Sequence, residues 1–123
     1  MSYVEPWGWH AMFDCAGCDI LSITDKKKIQ NFATELVRAI DMVAFDKPYV
    51  VRFGHGNKAG FTLVQLIETS TITGHFCEST GDAFIDVFSC KPFDPATAAD
   101  VVNRYFLPSH INQSFLYRIA SAK

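Results

Sequence analysis

Two hydrophobic periods alternate along the chain. Thr62–Ile67, Thr71–Phe76 and Ala83–Ser89 are rich in β-branched and aromatic residues and are punctuated by Gly74 and Gly81. That pattern predicts neighbouring strands of one sheet. Residues 7–14, WGWHAMFD, are almost wholly apolar and predict a strand buried on both faces that carries His10 inward or to an edge. Tyr49–Phe53 predicts another strand, ending in the polar loop Gly54-His55-Gly56-Asn57-Lys58, and Gln113–Ile119 a last one.

Helical spacing appears twice. Ile29, Phe32, Leu36 and Ile40 recur on one face after Thr24, a candidate N-cap, which predicts a helix over about residues 25–43. Asp94-Pro95, a capping residue followed by proline at the first helical position, opens a second helix with Ala98, Val101, Val102 and Tyr105 on one face and Pro108 as its stop. The order β-α-β-β-β-β-α-β predicts a single α+β domain over 1–123. It is a two-layer sandwich in which two helices cover one face of a mostly antiparallel sheet. The other face, rich in Phe and Ile, needs cover, and a second copy of the chain is the economical partner.

Composition narrows the function classes. The 123 residues carry a net charge of -2, with 20% of them charged, which gives no basic field for nucleic acid. No stretch reaches the roughly 20 apolar residues that cross a bilayer. The N-terminus lacks a basic-then-apolar signal pattern, so a soluble, cytoplasmic protein is expected. Four cysteines then read as free thiols. Cys15-Ala-Gly-Cys18 has no second C-x-x-C or H-x3-H to complete a zinc site, so no metal is expected and a turn through Gly17 explains it.

The candidate chemistry is concentrated between Gly60 and Cys90, where Thr62, Glu68, Thr69, Ser70, His75, Cys77, Glu78 and Cys90 lie among the strand residues. Ser70 with Thr62, His75 and Cys90 suits nucleophilic or acid-base chemistry. A cross-strand hydroxyl ladder with a packed His and Cys fits the same residues. The glycine-flanked loop at residues 54–58 fits either a ligand approach or a simple hairpin turn.

Three pieces of the chain resemble the small prokaryotic S-adenosylmethionine decarboxylases, the pyruvoyl-dependent enzymes of spermidine synthesis. Gly8-Trp9-His10 through Cys18-Asp19 is similar to their opening G-x-H-x3-(D/E)-x3-C-D strand. Gly60-Phe61-Thr62 through Asp86-Val87-Phe88-Ser89-Cys90 is similar to their G-x-S, S-H, H-T-x-P-E and D-x-F-T-C-G run, with the same spacing between Ser70, His75 and Cys90. Asp94-Pro95 falls where they begin their second helix. The resemblance implies that Ser70 attacks the Thr69 carbonyl and the chain breaks there, leaving a pyruvoyl cofactor on the fragment from 70 to 123. It implies His75 as the base of that cleavage, Thr62 in the place of a processing serine, and Cys90 as the acid that protonates the substrate α-carbon. Phe53, Phe61, Glu68 and Glu78 are the implied substrate contacts and S-adenosylmethionine the substrate; the uncovered sheet face separately predicts a homodimer or higher homo-oligomer. The family's Glu-Ser-His is Thr69-Ser70-Thr71 preceded by Glu68, displaced by one place and expected on the opposite face of the strand, and Cys77 stands where some members carry an aromatic residue. Ornithine or arginine as substrate therefore stays open, as does an uncleaved protein that binds or degrades S-adenosylmethionine.

Overall fold

The computed structural model describes residues 5–120. Strand β1 (Gly8–Ala16) is followed by a short helix α1 (Ile20–Ile23), helix α2 (Lys26–Ala39) and strand β2 (Tyr49–Phe53). Then come β3 (Gly60–Ile67), β4 (Ser70–Cys77), β5 (Asp82–Ser89), helix α3 (Pro95–Phe106) and β6 (His110–Arg118). The strands form one sheet in the order β2-β3-β4-β5-β1-β6, and every neighbouring pair is antiparallel. The α+β sandwich expected from the sequence is the observed architecture.

Alternation sorts the sheet into two faces. Ala11, Phe13 and Cys15 of β1, Leu63 and Ile67 of β3, Ile72 and Phe76 of β4, and Ala83, Ile85 and Val87 of β5 are buried. They share a core with Ile29, Phe32, Leu36 and Val37 of α2 and Ala98, Val101, Val102 and Phe106 of α3. Phe106 is its aromatic centre, 4.7 Å from the Phe32 ring and 5.1 Å from Phe76. The two helices are also tied at their surface, where Arg104 reaches Glu35 at 2.7 Å and the Tyr105 hydroxyl donates to the same carboxylate at 2.8 Å.

Among the described residues no helix covers the opposite face. Tyr49, Phe53, Leu66, Phe84 and Leu116 stand exposed there, paired through the register with other open-face positions. The face is mixed: Phe, Tyr and Leu stand on it beside Thr62, Thr71, Thr73, His75 and Asp86, where Phe and Ile were expected. Ile67, Ile72 and Ile85 turn toward the helices instead. No helix among the described residues is long and apolar enough to cross a membrane.

Several expected boundaries shift for local reasons. Asp25, not Thr24, caps α2, accepting the Lys28 N–H on its carboxylate, because the Thr24 hydroxyl is spent on the Ile20 carbonyl at 2.7 Å. The helix ends at Ala39 rather than near 43, as Asp41 turns to a φ of 60°. β1 extends to Ala16 and is half-exposed along one edge of its pattern, not buried on both faces: Asp14 is exposed. The chain turns at Gly17, φ 62°. Asp94 does cap α3 through the Ala96 N–H with Pro95 in the first turn, and Leu107 in the left-handed region closes it before Pro108. β6 begins at His110, earlier than expected.

Candidate active site

The β3–β4 hairpin organises the candidate chemistry. Ile67 pairs with Ser70, so Glu68 and Thr69 are the two turn residues, and the register then sets Thr62 opposite His75. Two-residue hairpins ordinarily place positive φ inside the turn, to match the strand twist. Here neither Glu68 nor Thr69 has it; the unusual value, +157°, falls on Ser70, at the edge of the region that glycine occupies freely. The unusual backbone torsion of this hairpin therefore falls on Ser70, the residue just past the turn.

The Thr69–Ser70 linkage is held from three sides. The Thr69 carbonyl accepts the Cys90 backbone N–H at 2.9 Å. Ser89, wholly buried, donates to the Thr69 hydroxyl at 3.0 Å and accepts the Lys91 N–H at 2.9 Å. The Thr69 hydroxyl in turn points to the Met42 sulfur at 3.3 Å. The half-buried Ser70 hydroxyl makes no hydrogen bond among the described residues, so its lone pairs are uncommitted beside a polarised carbonyl. Ser89 was not anticipated from sequence. Its signal was there: it occupies the Thr position of the D-x-F-T-C-G stretch.

Thr62 and His75 lie elsewhere. Their side chains approach at 3.4 Å between Oγ1 and Nδ1 on the open face. His75 is five positions along β4 from Ser70, about 17 Å at the rise of a strand. Within one chain, the structure therefore brings Thr69, Ser70, Ser89 and Cys90 together, and Thr62 with His75, but does not join the two groups. A base at His75 cannot reach Ser70 of its own chain.

A cavity of about 500 Å³ opens beside the Thr62–His75 pair. Of the four side chains expected to contact substrate, Phe53 and Phe61 line it, together with Cys77 and Asp82. Glu78 does not line it: Arg52 grips its carboxylate with two hydrogen bonds of 2.6 and 2.8 Å, and this pairing lowers the Glu78 pKa. Glu68 sits exposed in the hairpin turn at the other end of β4, not on a strand face at all. The 54–58 loop connects β2 to β3 as a hairpin with a 3₁₀ turn, and its Asn57 and Lys58 line the cavity. Gly60 is required beneath it, since at φ +159° an added Cβ would overlap the Phe76 carbonyl oxygen.

The thiols differ by environment. Hydrogen bonds from Thr80 and Ser79 lower the Cys77 pKa, and its Sγ lies 2.9 Å from the Asn57 carbonyl. Cys15 and Cys18 are both buried, and the Cys15 thiol donates to the Phe13 carbonyl at 3.8 Å; interaction between the two thiols, with burial, holds the Cys15 pKa up, and the same interaction lowers that of Cys18. Cys90 is exposed at the Ser70 end.

The chain is similar to known proteins over most of its length. The chain is 29% identical over 112 residues to an S-adenosylmethionine decarboxylase proenzyme of Pyrococcus furiosus, covering 90% of this chain and 78% of that one. It is 31% identical over 103 residues to a protein of the same description from Bacillus velezensis, covering 80% and 75%. The fold superposes on the crystal structure of the adenosylmethionine decarboxylase from Aquifex aeolicus with a TM-score of 0.81 over 98% of both chains at 23% identity, a likeness of fold. The sequence description of the S-adenosylmethionine decarboxylase family matches residues 9–119. The chain belongs to the S-adenosylmethionine decarboxylase family.

Proposed function

We propose that this protein is a self-processing, pyruvoyl-dependent decarboxylase of S-adenosylmethionine, supplying the decarboxylated product to spermidine synthesis. The observation that carries the reading is the Thr69–Ser70 linkage, with its positive φ, its unengaged hydroxyl and its carbonyl oxygen on the Cys90 N–H. Attack by Ser70 Oγ on the Thr69 carbon puts negative charge on that oxygen, where a backbone donor is already aimed. The peptide bond opens to an ester, and elimination releases the Thr69 carboxylate. Hydration with loss of ammonia then leaves the pyruvoyl group on residue 70. Once formed, this group supplies an electron-withdrawing carbonyl for loss of carbon dioxide. Cys90, exposed beside it, holds the proton destined for the substrate α-carbon.

A second copy completes the machinery. The Ser70–Cys90 group and the Thr62–His75 pair occupy opposite ends of the central strands, and the face between them exposes Leu66 and Phe84 with no helix among the described residues over it. A two-fold contact between open faces sets the His75 of each chain against the Ser70 of the other, and covers Phe53, Leu66 and Phe84. The cavity beside Thr62 and His75 then receives the rest of the substrate, with Phe53 and Phe61 as its aromatic walls.

One observation favours a second substrate. Cys77 lines the cavity where an aromatic side chain would stack on a nucleobase, and Glu78 is taken by Arg52, whereas Asp82 offers a carboxylate to the cavity. This arrangement suits the amine of a smaller amino acid such as ornithine or arginine. Release of labelled carbon dioxide from S-adenosylmethionine, ornithine and arginine, run in parallel, tests both. Release from S-adenosylmethionine alone supports the first reading, release from ornithine or arginine alone the second, and silence on all three contradicts decarboxylation.

A further inference from the structure

On the open face, beyond the residues discussed so far, β6, β1 and β5 share a polar chain. Arg118 Nη1 donates to His10 Nδ1 at 3.2 Å, and His10 Nε2 lies 3.3 Å from Asp86 Oδ1. In its Nε2–H tautomer the His10 ring accepts from the guanidinium at Nδ1 and donates to Asp86 from Nε2. The same guanidinium lies 5.0 Å over the Phe88 ring, and the Trp7 ring lies tilted against Phe88 with centroids 5.8 Å apart. A small cavity of about 270 Å³ opens between Trp7, Phe88, Arg118 and Ile119. Arg52 and Arg104 are neutralised by Glu78, and by Glu35 and Asp100. Arg118 has no carboxylate partner among the described residues. Holding a bare guanidinium between an aromatic ring and an imidazole fixes its direction while leaving most of its N–H fork free.

The register puts this cation at the Ser70 end of the sheet. Cys90 follows Ser89, the partner of Trp9, and so lies across from Gly8, whose partner on its other side is Arg118. Phe88, beneath the guanidinium, is the cross-strand partner of Thr71, next to Ser70. We propose that Arg118 is the carboxylate-recognition residue of this site, set in place by His10 and Asp86, and that it takes the α-carboxylate of the amino-acid substrate. The assignment of the carboxylate to the substrate rests on the decarboxylase reading; the anion site itself does not. An arginine that pairs with the carboxylate stabilises the bound substrate, and that pairing weakens as the charge leaves with carbon dioxide. Its loss therefore raises KM and leaves kcat unreduced.

The test uses the whole protein, labelled with nitrogen-15 at arginine, with the Arg118 Nε signal assigned through R118Q. Sodium propionate at constant ionic strength is expected to shift that signal, and its isostere propionamide to leave it in place. H10F, which keeps the ring packing but removes the acceptor, is expected to weaken propionate binding several-fold. S-adenosylmethionine is expected to displace propionate, and its methyl ester to fail. R118Q should raise KM about tenfold or more, the range of a lost charge-assisted hydrogen bond, with kcat retained. No response of Arg118 to propionate overturns the proposal whatever the substrate. A response to propionate without competition from S-adenosylmethionine upholds the carboxylate site and counts against S-adenosylmethionine as the substrate. A fall in kcat at unchanged KM overturns the ground-state role.

Discussion

The backbone N–H of Cys90 donates to the Thr69 carbonyl at 2.9 Å, which links the residue expected to act in catalysis to the bond expected to break. The two roles of Cys90 are separable, since one belongs to the main chain and the other to the thiol. C90A keeps the N–H and should cleave at the wild-type rate while turnover collapses. C90P removes the donor and should slow cleavage about 100-fold or more, the usual effect of losing one such hydrogen bond. Fragment formation followed by mass spectrometry, with circular dichroism to confirm the fold, checks both. Equal cleavage by C90P and C90A would show that the hydrogen bond contributes nothing.

The separation of Ser70 from His75 makes a prediction about assembly. S70A and H75A should each stay uncleaved alone. In mixed dimers, the chain bearing H75A should be cut, because its Ser70 meets the His75 of the S70A partner. Isolated heterodimers that yield no fragments would contradict a site shared between chains.

Core and open face should respond differently to truncation. F106A removes a ring that is fully buried between Phe32 and Phe76, and should cost about 3–5 kcal/mol in chemical denaturation. F53A, 59% exposed, should change stability by less than about 0.5 kcal/mol while altering substrate KM.

The helix tie gives an acid-dependent term. Hydrogen bonding from Arg104, then from Tyr105, lowers the Glu35 pKa below its ordinary 4.5. A depressed carboxylate pKa contributes stability above the unfolded-state value, and the contribution disappears as pH falls through the folded-state value. Stability of the wild type should therefore fall below about pH 4.5 more steeply than that of E35Q, and the two should converge in acid. Parallel acid limbs in denaturant titrations would rule the tie out.

The thiols should react in an order set by exposure and hydrogen bonding. At neutral pH in a C90S background, iodoacetamide should alkylate Cys77 first, T80A should slow that reaction, and Cys15 and Cys18 should stay protected until unfolding. Peptide mapping of the alkylated sites reads the order directly. Early labelling of Cys15 or Cys18 would contradict their place under the helices.

Alternation and capping made most of the architecture legible. The apolar positions of β3, β4 and β5 define their inward face, and Asp94-Pro95 marks the start of α3 because its cap chemistry is local. The four-residue α1 was not legible, since Ile20–Ile23 is too short for helical periodicity to show. At the site, the Thr62–His75 pairing was recoverable, because a two-residue turn at Glu68-Thr69 dictates that register. The same turn dictates that His75 lies far from Ser70, yet the dense sequence spacing suggested one cluster. Five residues are close on a helix and far on a strand. Ser89, Arg52 and Arg118 escaped notice because their roles depend on partners distant in sequence: Thr69, Glu78 and His10.

The most direct measurement is the intact mass of freshly purified protein under denaturing conditions. The account predicts two fragments meeting between Thr69 and Ser70, the second blocked at its N-terminus as a pyruvoyl group would be, and neither formed by S70A. A single 13.8 kDa chain that stays whole on long incubation would contradict it.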